Sequence, residues 1–135
     1  MKLIFIDTNI FIYAAGDSHP HKAPSLRMLE QIASGKIKAL TSAEVLQEIL
    51  YRYAAIKDTG RGFAVFDNCL KIVPVVLPLT KQDIVSSRQI LQRYPLISAR
   101  DAAHIAVMLG RGIKIICSYD KHFDSVKEIE RIEPR

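Results

Sequence analysis

Apolar residues in this chain form short runs separated by segments with helical spacing. Residues 3–6, LIFI, are a continuous apolar run of the kind seen in strands buried on both faces. Runs at residues 37–40 and 113–117 have the same character, whereas residues 72–77 contain a proline, which indicates an edge or irregular strand. The intervening segments predict helices over residues 10–15, 24–34, 43–54, 63–70, 80–91 and 98–109.

The alternation of strands and helices predicts the fold class. Parallel strands are joined by right-handed crossovers, which place helices on both faces of a sheet. The pattern therefore predicts an α/β protein with three layers, α/β/α, and a central parallel sheet. With 135 residues, 49% of them hydrophobic, the chain fits a single domain, residues 1–135, built on one core. Residues 57–62, KDTGRG, are expected to form a flexible loop.

Four acidic residues fall near the predicted ends of these elements. Asp7 directly follows the first apolar run, Asp120 follows the last, and Asp101 lies in the first turn of the most apolar helix. Glu48 lies one turn inside an earlier helix and has the least certain reach. In open α/β sheets the ligand crevice lies outside the carboxyl ends of the strands. The four side chains are therefore expected to converge at one edge of the sheet.

Each acid also has a purely structural explanation. Asp7 can cap the helix that begins near Thr8, and Asp101 can be the third residue of a helix capped by Ser98. Either role would place a carboxylate near a helix N-terminus without any ligand. The positions alone leave both explanations open.

The second of the predicted long helices carries two glutamates on one face. Glu44 fits the third position of a capping box that begins at Thr41. Glu48 has no capping role, and its structural alternative is a solvated helix face with Arg52 as a partner four residues on. Either glutamate remains a candidate for the site.

Histidines and cysteines give no set with the spacing of a zinc site. His19 and His21 lie in a polar, proline-containing stretch and are expected to be solvated. His104 is expected to be a satisfied residue on a helix face. Cys69 and Cys117 lie in apolar segments and are expected to be reduced core residues.

Charge and hydropathy narrow the range of partners. The net charge of +5 favours an anionic partner such as nucleic acid, although the lysines and arginines are scattered. The chain shows no signal-peptide pattern and no apolar run of membrane-spanning length. A cytoplasmic protein with no membrane association is therefore expected.

Converging carboxylates would repel one another. At an effective dielectric constant of about 20, two unit charges 4 Å apart cost about 4 kcal/mol. Hard divalent cations with oxygen ligands relieve such repulsion, which favours Mg²⁺ or Mn²⁺. A carboxylate-bound metal ion beside a basic surface suits phosphodiester hydrolysis.

Four short motifs follow one another over nearly the whole chain: DTN, SAEVLQEIL, SARDAAHIAVMLGRG and IKIICSYDKHFD. Their order and spacing resemble the PIN domain family, and especially its VapC-type toxins. The resemblance implies a ribonuclease that depends on Mg²⁺ or Mn²⁺ and leaves 5′-phosphate and 3′-hydroxyl ends.

The same resemblance assigns roles to residues. It implies that Asp7, Glu48, Asp101 and Asp120 are the catalytic acids. Metal ligands would be Asp7, Asp101 and Asp120, with Glu48 binding a second ion or orienting water. Glu48 is matched to the family glutamate because it follows Val-Leu-Gln, and Glu44 stays as the alternative.

The resemblance also indicates residues that support the acids. Asn9 of the DTN motif is expected to orient Asp7 or a bound water, and Ser118 stands where the family often has threonine. Arg100 is the best candidate for a phosphate contact, ahead of Lys121 and Arg61.

The resemblance also implies partners: an RNA substrate, a small antitoxin protein and a second copy of the chain, with helices such as residues 46–56 as a homodimer interface. Two alternatives remain. A phosphoryl-handling domain, receiver-like or phosphatase-like, is disfavoured because Asn9 stands where a phosphatase has a second aspartate. A non-cleaving PIN-like scaffold is disfavoured because all four acids are present.

Overall fold

The computed structural model describes residues 2–135 and contains five parallel strands. The sheet order is β3-β2-β1-β4-β5. The predicted parallel central sheet is confirmed, whereas the last strand was not predicted because it is a half-buried edge segment of charged character. The strands are β1 (Leu3–Ile6), β2 (Lys38–Ser42), β3 (Val76–Leu77), β4 (Ile115–Cys117) and β5 (Glu130–Ile132).

Helices cover both faces of the sheet. The chain moves towards one edge from β1 to β3 and towards the other from β3 to β5. Right-handed crossovers therefore place the first four helices on one face and the last two on the other, which confirms the three-layer α/β/α prediction. The six α-helices are α1 (Thr8–Ala15), α2 (Lys22–Ala33), α3 (Ala43–Ala55), α4 (Thr59–Ile72), α5 (Lys81–Arg93) and α6 (Ala99–Leu109).

The direction of travel changes between β1 and β4, which lie side by side at the centre of the sheet. Ile6 is in register with Cys117, and the backbone N–H of Asp7 donates to the carbonyl of Cys117 at 3.1 Å. The chain therefore leaves both strands at adjacent points. Such a switch point is where open α/β sheets bind ligands.

The core lies between the central strands and the helices on either face. Phe5 on β1 and Ile116 on β4 are fully buried, and α6 is buried along residues 102–108. Cys69 and Cys117 are free and buried, as predicted, and burial raises the pKa of each thiol to about 12. Within residues 2–135, no helix combines the length and the apolar character needed to cross a bilayer.

The predicted loop at residues 57–62 is wrong for its last four residues, because α4 begins at Thr59. A Cβ atom at Gly62 would lie 2.7 Å from the Cβ of Tyr53 on α3, so glycine is needed for the two helices to pack this closely. One of the two glycines that indicated a loop, Gly62, therefore serves helix packing. The strand predicted at 72–77 shrinks to β3, and the expectation of an edge strand is confirmed.

The capping box predicted at the start of α3 is also wrong. Thr41 belongs to β2 instead, and its Oγ1 donates to the carbonyl of Ile6 at 2.9 Å. Ser42 takes the N-cap position without a side-chain cap bond. Glu44 is thus free of the capping role that its spacing suggested.

Candidate active site

A cleft of about 360 Å³ opens at the carboxyl ends of β1 and β4. The structure brings all four predicted acids to this cleft, from two strand ends and two helices on opposite faces of the sheet. Its lining consists of Asp7, Asn9, Glu48, Arg52, Leu96, Ile97, Ser98, Arg100, Asp101, Asp120 and His122.

Asp7 is held in place by three hydrogen bonds at the end of β1. Its Oδ1 accepts from the backbone N–H of Thr8 at 2.8 Å, so the helix-capping explanation is also correct. Its Oδ2 accepts from Ser118 Oγ at 2.6 Å and from Asn9 Nδ2 at 3.3 Å. Burial raises the pKa of Asp7 because it penalises the ionised form more than nearby His104 and Ser118 favour it.

Ser118 and Asn9 connect the ends of the two central strands. Ser118 Oγ accepts from Asn9 Nδ2 at 3.1 Å and from the backbone N–H of Asp120 at 3.0 Å. Asn9 Oδ1 in turn accepts from the backbone N–H of Tyr119 at 3.3 Å. Both residues therefore lie where the sequence placed them, against Asp7 rather than in solvent.

Glu48 reaches the cleft from the second turn of α3 and is only 9% exposed. Its Oε1 accepts from Thr8 Oγ1 at 3.0 Å, and its Oε2 lies 3.6 Å from Arg52 Nε and 4.0 Å from Arg100. Burial opposes ionisation, but His104, Thr8 and Arg52 outweigh it and lower the pKa of Glu48. The contact with Arg52 that the spacing suggested is therefore present, but Glu48 is buried and does not lie on a solvated helix face.

Other candidates lie further from the acids. Glu44 does not line the cleft, and its Oε1 lies 3.5 Å from Arg100 Nε. Of the three predicted phosphate contacts, only Arg100 lines the cleft. Arg61 pairs with Asp58 at 3.3 Å on α4, and Lys121 is exposed beyond the cleft.

Asp101 carries the least compensated charge of the site. Its backbone N–H donates to Ser98 Oγ at 3.0 Å, as predicted, which leaves the carboxylate directed to the cleft. Burial, with the charges of Asp7 and Asp120, raises the pKa of Asp101 to about 7. Asp120 itself accepts from the backbone N–H of His122 at 2.9 Å. Asp101 and Asp7 are thus the two acids of the site whose pKa values are raised.

His104 is the functional candidate that sequence analysis missed. It is fully buried on α6, and its Nε2 lies 3.7 Å from Asp7 Oδ1 and 3.6 Å from Glu48 Oε1. Neither ring nitrogen has a hydrogen-bond partner, so the expectation of a satisfied helix-face residue is wrong. Burial alone would lower the pKa of His104, but the two carboxylates raise it. Its position three residues after Asp101, on the same helix face, was the signal available in the sequence.

Of the two histidines at residues 19 and 21, only one matches the expectation that both are solvated. His19 is exposed, as predicted. His21 is half-buried, and its ring stacks on Tyr119 with centroids 3.7 Å apart. The stacking shields His21 from water, which the polar surrounding sequence did not indicate.

The donor groups in the cleft fit a divalent cation. Carboxylate oxygens are hard ligands, and burial together with the charges of Asp7 and Asp120 raises the pKa of Asp101, a cost that a nearby cation would relieve. One donor atom each from Asp7, Glu48 and His104 lies within 4.8 Å of the other two. In its neutral form, the buried imidazole of His104 would add one nitrogen donor to this set.

Comparison with known proteins agrees with this geometry. Residues 4–129 match the family model of the PIN domain. The chain is 45% identical over 130 residues to Ribonuclease VapC13 of Mycobacterium tuberculosis, which covers 96% of this chain and 99% of that protein.

Solved structures share the fold at low sequence identity. VapBC2 from Rickettsia felis, bound to a DNA fragment from its promoter, matches with a TM-score of 0.76 at 17% identity, covering 98% of this chain and 99% of that one. The Sarcin-Ricin loop cleaving toxin VapC20 from Mycobacterium tuberculosis matches with a TM-score of 0.75 at 20% identity, covering 92% and 95%. The chain therefore belongs to the PIN domain family, as one of its VapC-type members.

Proposed function

We propose that this protein is a metal-dependent endoribonuclease that hydrolyses RNA phosphodiester bonds as the toxin of a toxin-antitoxin pair. The observation that carries the proposal is the convergence of Asp7, Glu48, Asp101 and Asp120 in one cleft. That cleft lies at the switch point of the central sheet. The chain is also 45% identical to a VapC ribonuclease.

Asp7, Asp101 and Asp120 would hold Mg²⁺ or Mn²⁺, and Glu48 would bind a second ion or orient water. When bound, such a cation lowers the pKa of a coordinated water and neutralises charge that develops on the phosphate. The raised pKa of Asp101 supports this assignment, because a carboxylate crowded by other carboxylates gains most from a nearby cation.

Residues around the acids position them. Ser118 donates to Asp7 at 2.6 Å and accepts the backbone N–H of Asp120, so one hydroxyl sets the separation of two proposed ligands. Asn9 completes this network. A site whose ligands are held before the substrate arrives loses little free energy to reorganisation.

Two arginines supply positive charge at the rim of the cleft. Arg52 and Arg100 both line it, and their side chains are 50% and 41% exposed. Each can therefore reach a phosphate oxygen of a bound strand while staying near Glu48. The net charge of +5 favours the approach of RNA over longer distances.

A small antitoxin and a second copy of the chain are the proposed protein partners. The antitoxin is proposed because one structural neighbour is a toxin-antitoxin complex, from Klebsiella pneumoniae. Exposed apolar side chains on α3 and α4, namely Tyr51, Ile56 and Phe63, favour burial in a homodimer. Size-exclusion chromatography with light scattering tests the dimer, and Ile56→Lys should shift it towards monomer.

A cytoplasmic location fits an RNA substrate and two free cysteines.

RNA cleavage by the purified protein tests the function. A 5′-labelled single-stranded RNA should be cut in Mg²⁺ or Mn²⁺, left intact in EDTA, and yield 5′-phosphate and 3′-hydroxyl ends by mass spectrometry. Asp7→Asn should lower the rate by about 100-fold or more, because a proposed ligand loses its charge. The matched control is Asp67→Asn, an exposed acid on α4, which should cut normally.

Three results would contradict the proposal. Cleavage that persists in EDTA would exclude the metal-dependent reaction. Full activity of Asp7→Asn would show that the cleavage reaction does not need the acids of the cleft. RNA binding without cleavage, in either metal, would favour the non-cleaving scaffold.

A further inference from the structure

The imidazole of His104 is an unsatisfied polar group in an otherwise well-paired site. Asp7 has three hydrogen-bond donors, and the hydroxyls of Thr8 and Ser118 are both bonded. His104 is fully buried, yet neither of its nitrogens has a hydrogen-bond partner, and its only close charged neighbours are two carboxylates beyond hydrogen-bond distance. Buried polar groups are costly to leave unpaired, so a missing partner is expected at this point.

The position of Nε2 between two carboxylates indicates what the missing partner is. This nitrogen lies 3.7 Å from Asp7 Oδ1 and 3.6 Å from Glu48 Oε1, too far for hydrogen bonds. Around one cation with bonds of about 2.1 Å, tetrahedral ligand atoms lie about 3.4 Å apart. The two distances from Nε2 are therefore close to this spacing, and all three donor atoms lie within 4.8 Å of one another.

Both carboxylate oxygens that face His104 are fixed by one residue. The backbone N–H of Thr8 donates to Asp7 Oδ1 at 2.8 Å, and its Oγ1 donates to Glu48 Oε1 at 3.0 Å. The ring of Phe5 packs against the imidazole with centroids 5.5 Å apart. Hydrogen bonds and packing of this kind orient metal ligands in proteins.

We propose that His104 is a metal ligand, whose Nε2 binds a divalent cation together with the carboxylates of Asp7 and Glu48. This inference rests on the proposed metal-dependent function and adds a mixed nitrogen and oxygen site to the all-oxygen set of Asp7, Asp101 and Asp120. Imidazole suits transition-metal ions, whereas Mg²⁺ prefers oxygen ligands. The site should therefore favour Mn²⁺ or Co²⁺ over Mg²⁺.

Pulsed electron paramagnetic resonance of untagged protein with Mn²⁺ alone tests this directly. A bound imidazole produces ¹⁴N hyperfine coupling, and the chain has four histidines that are possible sources, His19, His21, His104 and His122. We expect coupling in the wild type, retained in His122→Gln and lost in His104→Gln. His122 is the matched control because it lines the same cleft but is exposed.

Metal affinity supplies a second readout. His104→Gln should weaken Mn²⁺ binding by about tenfold or more and lower the preference for Mn²⁺ over Mg²⁺. If His104→Gln does not fold by circular dichroism, ¹⁵N-histidine labelling of variants that lack His19, His21 or His122 replaces it, because histidine coupling that persists in all three is assigned to His104.

Each other outcome overturns the inference. Mn²⁺ binding without histidine nitrogen coupling rejects His104 as a ligand and leaves the ribonuclease proposal intact. Coupling that disappears in His122→Gln but persists in His104→Gln assigns the nitrogen to His122. If no Mn²⁺ binds, the inference and the proposed metal dependence both fail. This result is distinct from the first outcome, in which Mn²⁺ binds and only the inference fails.

Discussion

Replacing Asp101 with asparagine should stabilise the metal-free protein at alkaline pH. Burial and the charges of Asp7 and Asp120 raise the pKa of Asp101 from 3.8 to about 7. A carboxyl group with a raised pKa in the folded state stabilises the fold fully below its unfolded pKa, and that contribution is lost as pH rises through the folded pKa. At pH 8 the folded protein therefore bears the cost of an ionised Asp101.

The size of this cost follows from the shift. One pKa unit corresponds to about 1.36 kcal/mol, so a shift from 3.8 to about 7 is worth about 4 kcal/mol as an upper bound. Asparagine removes the charge and keeps the shape, and the cap of α6 survives because Ser98 accepts the backbone N–H of residue 101. We expect the free energy of unfolding to rise by about 2 to 4 kcal/mol at pH 8 and by less than about 1 kcal/mol at pH 4.

Urea denaturation followed by circular dichroism, in EDTA at both pH values, measures the effect. Asp67→Asn is the control, since this acid is exposed on α4 and should change stability little at either pH. Adding Mn²⁺ should make the wild type more stable than the variant at pH 8, because only the wild type has the Asp101 carboxylate as a ligand for the bound ion. Equal or lower stability of Asp101→Asn at pH 8 in EDTA would refute the proposed charge repulsion.

Three further perturbations have clear expected results. Ser118→Ala removes the hydroxyl that donates to Asp7 at 2.6 Å and should lower the free energy of unfolding by about 1 to 3 kcal/mol in urea titrations. The fractional loss of its RNA cleavage rate should exceed the fractional loss of its stability. Gly62→Ala should cost about 1 to 3 kcal/mol by the same assay, because its Cβ would lie 2.7 Å from that of Tyr53, whereas Gly60→Ala meets nothing within 4 Å and should be neutral or stabilising. Chelation of Mn²⁺ should lower the thermal midpoint of the wild type, measured by scanning fluorimetry, as expected for loss of a bound ligand.

Controls separate these effects from general damage. Ser125→Ala removes an exposed hydroxyl that donates to the carbonyl of His122 at 2.8 Å and should leave cleavage unchanged. Wild-type cleavage rates in Ser118→Ala would contradict the positioning role of that residue. A stable Gly62→Ala would contradict the close packing of α3 on α4.

Local patterns along the chain were sufficient to predict the architecture. The short apolar runs before Asp7 and Asp120 identified β1 and β4, because a strand buried on both faces needs a continuous apolar stretch. Ser98 identified the start of α6 through its cap. Each of these signals involves neighbours within a few residues, which is why the position of the acids at the ends of elements was predictable.

Only the tertiary structure determined which groups meet. Ser118 and Asp7 are 111 residues apart in sequence and share a hydrogen bond, and Thr8 bonds Glu48 across 40 residues. Such contacts depend on strand register and helix packing, which no local pattern encodes. For the same reason the sequence did not show that Glu48 rather than Glu44 faces the cleft, or that His104 is buried between two carboxylates.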